Sequence, residues 1–159
     1  MTTPKTLRKI LATLLLAALA AGTGGLGTAD SARAGEFVVL VNANNDAPGG
    51  DAGKAEVARL FLKRSSEWSN GLRAFPFDRP PDSAVHKAFV SDVLDSDESS
   101  LNDWWARLKQ TRGETPPREV GSLRFLLRAL TRREGAFGFA AKKAVQPLPE
   151  GVRILFEFG

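Results

Sequence analysis

The chain has 159 residues, 22 basic and 18 acidic, with a formal charge of +4, one histidine and no cysteine. That length suits one domain with its own core; the lack of cysteine excludes disulfides and thiol chemistry, and one histidine leaves too few ligands for a transition-metal site. Taking the four basic residues (Lys5, Arg8, Lys9, Arg33) and one acidic residue (Asp30) of the first 34 from those totals leaves 18 basic against 17 acidic, a charge of +1. A nucleic-acid partner, which needs a net basic face, is therefore not expected.

Residues 1–34 read as an export signal. A basic start is followed by the apolar stretch Ile10 to Ala21, too short to span a bilayer comfortably, and then by Ala32-Arg33-Ala34, the small-x-small pattern of a signal peptidase site. Cleavage after Ala34 leaves residues 35–159 as one periplasmic or secreted domain with no stable membrane insertion. An uncleaved anchor is the alternative.

Phe37 to Val41 is a continuous apolar, largely β-branched run, as in a strand of a parallel sheet buried on both faces. Asn42 to Gly53 is rich in Asn, Asp and Gly and predicts a loop. Lys54 to Lys63 places Val57, Leu60 and Phe61 on one helical stripe. Arg73 to Phe77 has strand character, but Pro76 makes it short or places it at an edge. Pro80-Pro81-Asp82-Ser83 starts a helix that ends near Leu94, with Val85, Ala88, Phe89 and Val93 on one face. Asp95 to Ser100 reads as an acidic connector, and Leu101 to Lys109 as a helix with Leu101, Trp104, Trp105 and Leu108 inward. Ser122 caps a helix whose Leu123, Leu126, Leu127 and Leu130 face the core, and Gly135 is expected to stop it. Ala136 to Ala140 and Val152 to Phe158 read as strands. The expected core includes Leu60, Phe61, Phe89, Trp104, Leu126 and Leu127. The order β-α-β-α-α-α-β-β predicts a layered α/β fold.

Chemistry concentrates at two strand-to-helix junctions. At Asp82-Ser83 the first N–H groups of a helix and its dipole favour an anion, with the Ser83 hydroxyl as a further donor; plain capping by either residue explains the same pattern. Asn42 and Asn44 follow the first strand, where they present amide donors to a ligand or else build an Asx turn. Arg79 offers a bidentate anion contact, or is a surface arginine held by Asp78 or Asp82. His86 has no nucleophile to activate and reads as a surface or site-edge residue. Trp104-Trp105 reads as core, and the Asp92/Asp95/Asp97/Glu98 cluster lacks calcium-loop spacing. No nucleophile–base motif points to an enzyme, and no cofactor or metal is implied.

In order along the chain, these segments resemble the phosphate ABC-transporter substrate-binding proteins, and the short exported members of the type 2 periplasmic binding superfamily in particular. Asn42-Ala-Asn-Asn45 is similar to the family's strand end, and Val57-Ala-Arg-Leu-Phe-Leu62 with Trp68 and Gly71 to its first helix end. Arg79, Ser83-Ala84-Val85 and Phe89 are similar to its Arg, Ser-Gly-Thr helix start and following aromatic. Trp104-Trp105, Pro116-Pro117 and Gly135-Ala-Phe-Gly-Phe139 complete the series. The resemblance implies a reduced α/β fold of the type 2 periplasmic-binding kind, a mixed sheet flanked by helices. It implies an oxyanion site at Ser83, Arg79, Asn44, Asn42, Ala84 and Val85, a phosphate-like ligand, and an ABC permease or sensor as partner. Ala84 stands where the family has Gly and Val85 where it has Thr, which implies weaker affinity than a dedicated phosphate scavenger's. The alternative is an interaction or sensor accessory protein that keeps the fold without the ligand.

Overall fold

The computed structural model describes residues 35–159; the expected export signal and its cleavage site lie outside the described residues. Strand β1 (Phe37–Asn42) is an interior strand of the sheet with no exposed residue, because helices cover both of its faces. Phe37, Val39 and Val41 face one core layer, while Val38 and Leu40 face the other, as the two-residue period of a strand requires. The remaining elements are α1 (Gly50–Phe61), β2 (Phe75–Asp78), α2 (Ala84–Ala88) running into a π turn (Phe89–Val93), α3 (Glu98–Arg112), β3 (Arg118–Glu119), α4 (Leu123–Arg132), β4 (Ala136–Ala141), a 3₁₀ turn (Lys142–Val145) and β5 (Val152–Phe158). The fold is α/β, with a mixed five-stranded sheet in the order β3-β2-β4-β1-β5 flanked by helices.

Strand direction departs from the sequence expectation. β1 pairs antiparallel with both β4 and β5, whereas β2 is parallel to both β3 and β4. Burial on two faces, not direction, is what makes a strand uniformly apolar. β2 is short, as Pro76 predicts, yet it is internal. Its pairing with β3 begins only at Phe77–Arg118, so on that side Pro76 faces no ladder partner.

The first core layer holds α1, α2 with its π turn, and α3. Phe61, Phe89 and Phe139 are fully buried there, with Phe158 and Trp105 beside them. α4 covers the second layer through Leu126 and Leu130. α1 starts at Gly50, four residues before the expected point. Gly53 has no side chain to collide with the Pro48 carbonyl, so the polar glycine stretch can close as a first turn. α3 also starts early: the Asp97 carboxylate accepts from Ser100 N–H at 2.9 Å, turning the expected connector into a capped helix start. Gly113, at φ +68°, closes the far end.

Of the expected core residues, Leu60, Phe61, Phe89 and Leu126 are buried, whereas Leu127 and Trp104 are only partly so. Trp105 takes the inward position. Trp104 lies at the edge of the stripe, where its Nε1–H donates to Leu62 O and Arg64 stacks on its ring.

Gly135 does not stop the preceding helix. α4 ends at Arg132 with an extended Arg133, and Gly135 serves strand pairing instead. Its carbonyl accepts from both Phe75 N–H at 3.0 Å and Trp68 Nε1–H at 2.9 Å.

Candidate functional site

Adjacent parallel strands whose following helices leave to opposite faces open a crevice at their carboxyl ends, the usual ligand position in α/β sheets. β2 and β3 meet that condition. β2 leads into α2, whose Val85 belongs to the first core layer; β3 leads into α4, whose Leu126 belongs to the second. Both helices begin with a serine cap: Ser83 Oγ accepts from His86 N–H, and Ser122 Oγ from Phe125 N–H, each at 3.3 Å. The two helix starts are joined across the sheet end, where Val120 N–H donates to Asp78 O at 2.9 Å and Pro80 lies beside Gly121.

Arg79 occupies this junction. Its Nη1 donates to Val120 O at 2.9 Å, while its buried Nε has no partner among the described residues. No carboxylate pairs with the guanidinium among those residues, since Asp78 Oδ1 is used by the Arg79 backbone N–H and by His86. Burial accordingly pushes the Arg79 pKa down. Among the described residues the N–H groups of Ala84 and Val85 have no backbone acceptor, so they add orphan donors at the same helix start. Ser83 is half-buried, and besides capping it donates its hydroxyl to Pro80 O at 2.6 Å. Ala84 is exposed and Val85 buried, its side chain serving the core.

Asn42 and Asn44 do not join this group. Because β1 is antiparallel to β4, and β4 parallel to β2, the carboxyl end of β1 lies at the amino end of β2. Asn42 is buried; its Nδ2–H donates to Leu130 O at 2.7 Å and its Oδ1 accepts from Asn44 N–H at 2.8 Å. This is the Asx turn weighed from the sequence, and it ties β1 to the end of α4. The Asn44 side chain is exposed.

His86 is the residue that sequence reasoning missed. It is 2% exposed, with Nδ1 2.8 Å from Asp78 Oδ1 and Nε2 2.7 Å from Glu98 Oε1, the latter a close ion pair off the ideal hydrogen-bond direction. A capped helix start placed three residues before it, with Asp78 ending the strand, is the available signal; Glu98 arrives from α3 and is invisible in local sequence. Burial opposes the imidazolium, but hydrogen bonding to Asp78 and the charges of Asp78 and Glu98 outweigh it, so the pKa is raised above its ordinary value of 6.5. A raised folded-state pKa makes this stabilisation complete below about pH 6.5 and removes it as the pH climbs through the folded value. The urea midpoint is therefore expected to be higher at pH 6 than at pH 8.5, and His86→Gln should flatten that difference. A wild-type midpoint that rises over the same interval would contradict the assigned ion pairs.

Comparison with known proteins agrees with this architecture. No family model matches the chain, and no curated protein matches it. Among solved structures, a PstS from Borrelia burgdorferi superposes with a TM-score of 0.55 at 10% identity, over 76% of this chain and 46% of its own. A possible phosphate binding protein from Planctomyces limnophilus gives 0.52 at 12% identity, over 78% of this chain and 42% of its own. An ABC-type phosphate transport receptor from Vibrio cholerae gives 0.51 at 15% identity, over 77% and 46%. The chain thus has a phosphate-binding-protein-like fold, and it spans less than half the length of these receptors.

Proposed function

We propose that this protein is an exported, non-catalytic solute-binding-like protein that takes a phosphate-type oxyanion in the crevice between β2 and β3, in association with an ABC permease or a sensor. The observation that carries the reading is Arg79: a partly desolvated guanidinium with no carboxylate partner among the described residues, beside the unfilled N–H groups of Ala84 and Val85. A charge in that position is stabilised by an anion that it can bind bidentately, and the helix dipole has the same sign preference. Ser83 adds its hydroxyl if it turns from Pro80 O to the ligand. Ala84 in place of Gly and the inward Val85 side chain make the site narrower and poorer in donors than a Ser-Gly-Thr start, so modest affinity is expected. The receptors that share the fold support this ligand class.

Calorimetric titration with orthophosphate provides the test. Arg79→Gln is expected to weaken binding by about 1.5–3 kcal/mol, the worth of a hydrogen bond to a charged group, with the thermal midpoint followed in parallel to separate binding from folding. Unchanged affinity in that variant would place any anion elsewhere. Absence of heat with millimolar phosphate and sulfate would instead favour an accessory protein that has kept the fold without the ligand.

A further inference from the structure

A concave site lies along the β3 edge of the sheet, between the start of β2 and α4, and neither Arg79 nor Ser83 lines it. Its volume is about 730 Å³, within the range of small-molecule sites. Arg73, Arg118, Arg128, Arg132 and Arg133 line it, along with Lys63 and one acidic residue, Glu114. Glu114 is engaged by Lys63 at 2.8 Å, and none of the five arginines has a carboxylate partner among the described residues. The near-neutral sum of charges over residues 35–159 thus conceals a strongly segregated distribution. Like charges gathered without counter-charges repel one another, and a concave wall concentrates their field on whatever enters.

The aromatic lining is organised around these cations. Arg133 lies 4.8 Å and Arg73 5.7 Å from the Phe75 ring centroid, and Arg118 lies 5.1 Å from that of Phe125, which is 44% exposed. Guanidinium groups held against rings lose little further freedom on binding and keep their N–H edges for planar, bidentate oxyanion contacts. Phe75 carries two cations and is not offered as a stacking surface for a base. The spacing along α4 is also ordered: Arg128 and Arg132 are one turn apart on the same face, so anionic groups repeated along one short molecule can meet successive guanidiniums.

We propose that this cleft binds a short linear polyanion of linked phosphate groups, recognised by charge and not through a base. The site is independent of the proposed orthophosphate crevice. Titrating the purified protein with tripolyphosphate and with orthophosphate at matched ionic strength is expected to give at least about ten-fold tighter binding of tripolyphosphate. The double variant Arg128→Gln/Arg132→Gln should lose about ten-fold or more of that affinity with its thermal midpoint no lower than wild type, since both side chains are exposed and their mutual repulsion is removed. Arg107→Gln, on the exposed face of α3, should leave it intact, and Arg79→Gln should weaken orthophosphate but spare tripolyphosphate, which keeps the two sites distinguishable. Equal affinity for the two anions, or loss of affinity in Arg107→Gln as large as in the double variant, would overturn the proposal. Tighter binding of ATP than of tripolyphosphate would reassign the cleft to nucleotides, and tighter binding of hexaglutamate would reassign it to acidic protein segments; either overturns it as well.

Discussion

Replacing Phe89 by alanine is expected to cost about 3–5 kcal/mol of stability, the range for truncating a fully buried phenylalanine. The side chain has 0% exposure. Its ring stacks on Phe139 with centroids 3.9 Å apart and planes 6° apart, and it also meets Phe61 at 4.9 Å and Phe158 at 5.9 Å. Phe89 therefore joins α1, β4 and β5 at one point. It is also the first residue of the π turn, where Leu94 N–H donates to Phe89 O at 3.1 Å, so loss of the ring loosens the segment that follows the Ser83 helix start. The expected readout is a large fall in urea midpoint with an unchanged denaturant slope. Phe89→Leu, which keeps much of the apolar volume, should cost markedly less. A Phe89→Ala midpoint within about 0.5 kcal/mol of wild type, the range of surface substitutions, would mean that the aromatic cluster is wrongly placed.

Much of this architecture is legible in sequence because it is local. The Phe37 to Val41 run, the stripe of Val57, Leu60 and Phe61, and the serine caps at Ser83 and Ser122 each carry their own signal within a few residues. What was not legible depends on partners distant in the chain. The direction of β1 is set by β4 and β5, about a hundred residues on, and an apolar run is the same read either way. That one unknown decides whether Asn44 and Ser83 share a crevice, and the antiparallel answer separates them. β3 is only two residues long and polar, with both residues exposed, so no hydrophobic period marks it; yet its parallel pairing with β2 is what brings the two serine-capped helix starts together around Arg79.

The same distinction explains His86 and the arginines. A histidine in a first helical turn gives no sign of burial until Asp78 and Glu98 are seen on either side of its ring. The arginines of the second cleft come from the segment before β2, from β3, from α4 and from the residue just after it. Summed along the chain their charge is cancelled by acidic residues elsewhere, and only the fold reveals that those acids are not beside them.

Gly135→Ala is expected to destabilise the protein by roughly 2–6 kcal/mol, combining an overpacking cost of about 1–3 with two weakened hydrogen bonds of about 0.5–1.5 each. A β-carbon at this position would fall inside van der Waals contact of the Arg73 carbonyl oxygen and 2.9 Å from its carbon, both backbone atoms that no rotamer change can clear. The chain between Arg73 and Phe75 must then move away from Gly135, whose carbonyl currently accepts from Phe75 N–H and Trp68 Nε1–H. The strain thus acts on the entry to β2 and on a buried tryptophan at once. It does not come from backbone torsion, because Gly135 is not among the glycines with positive φ. Gly121→Ala is the matched control: its added carbon would meet only Pro80 Cγ at 3.9 Å, again without positive φ. That change should be neutral, or stabilising by about 0.4–1 kcal/mol through the unfolded chain. Chemical denaturation of the two variants checks the pair. If Gly135→Ala proves as stable as Gly121→Ala, the close approach of the Arg73 carbonyl to Gly135 does not exist, and the pairing of β2 with β4 would have to start elsewhere.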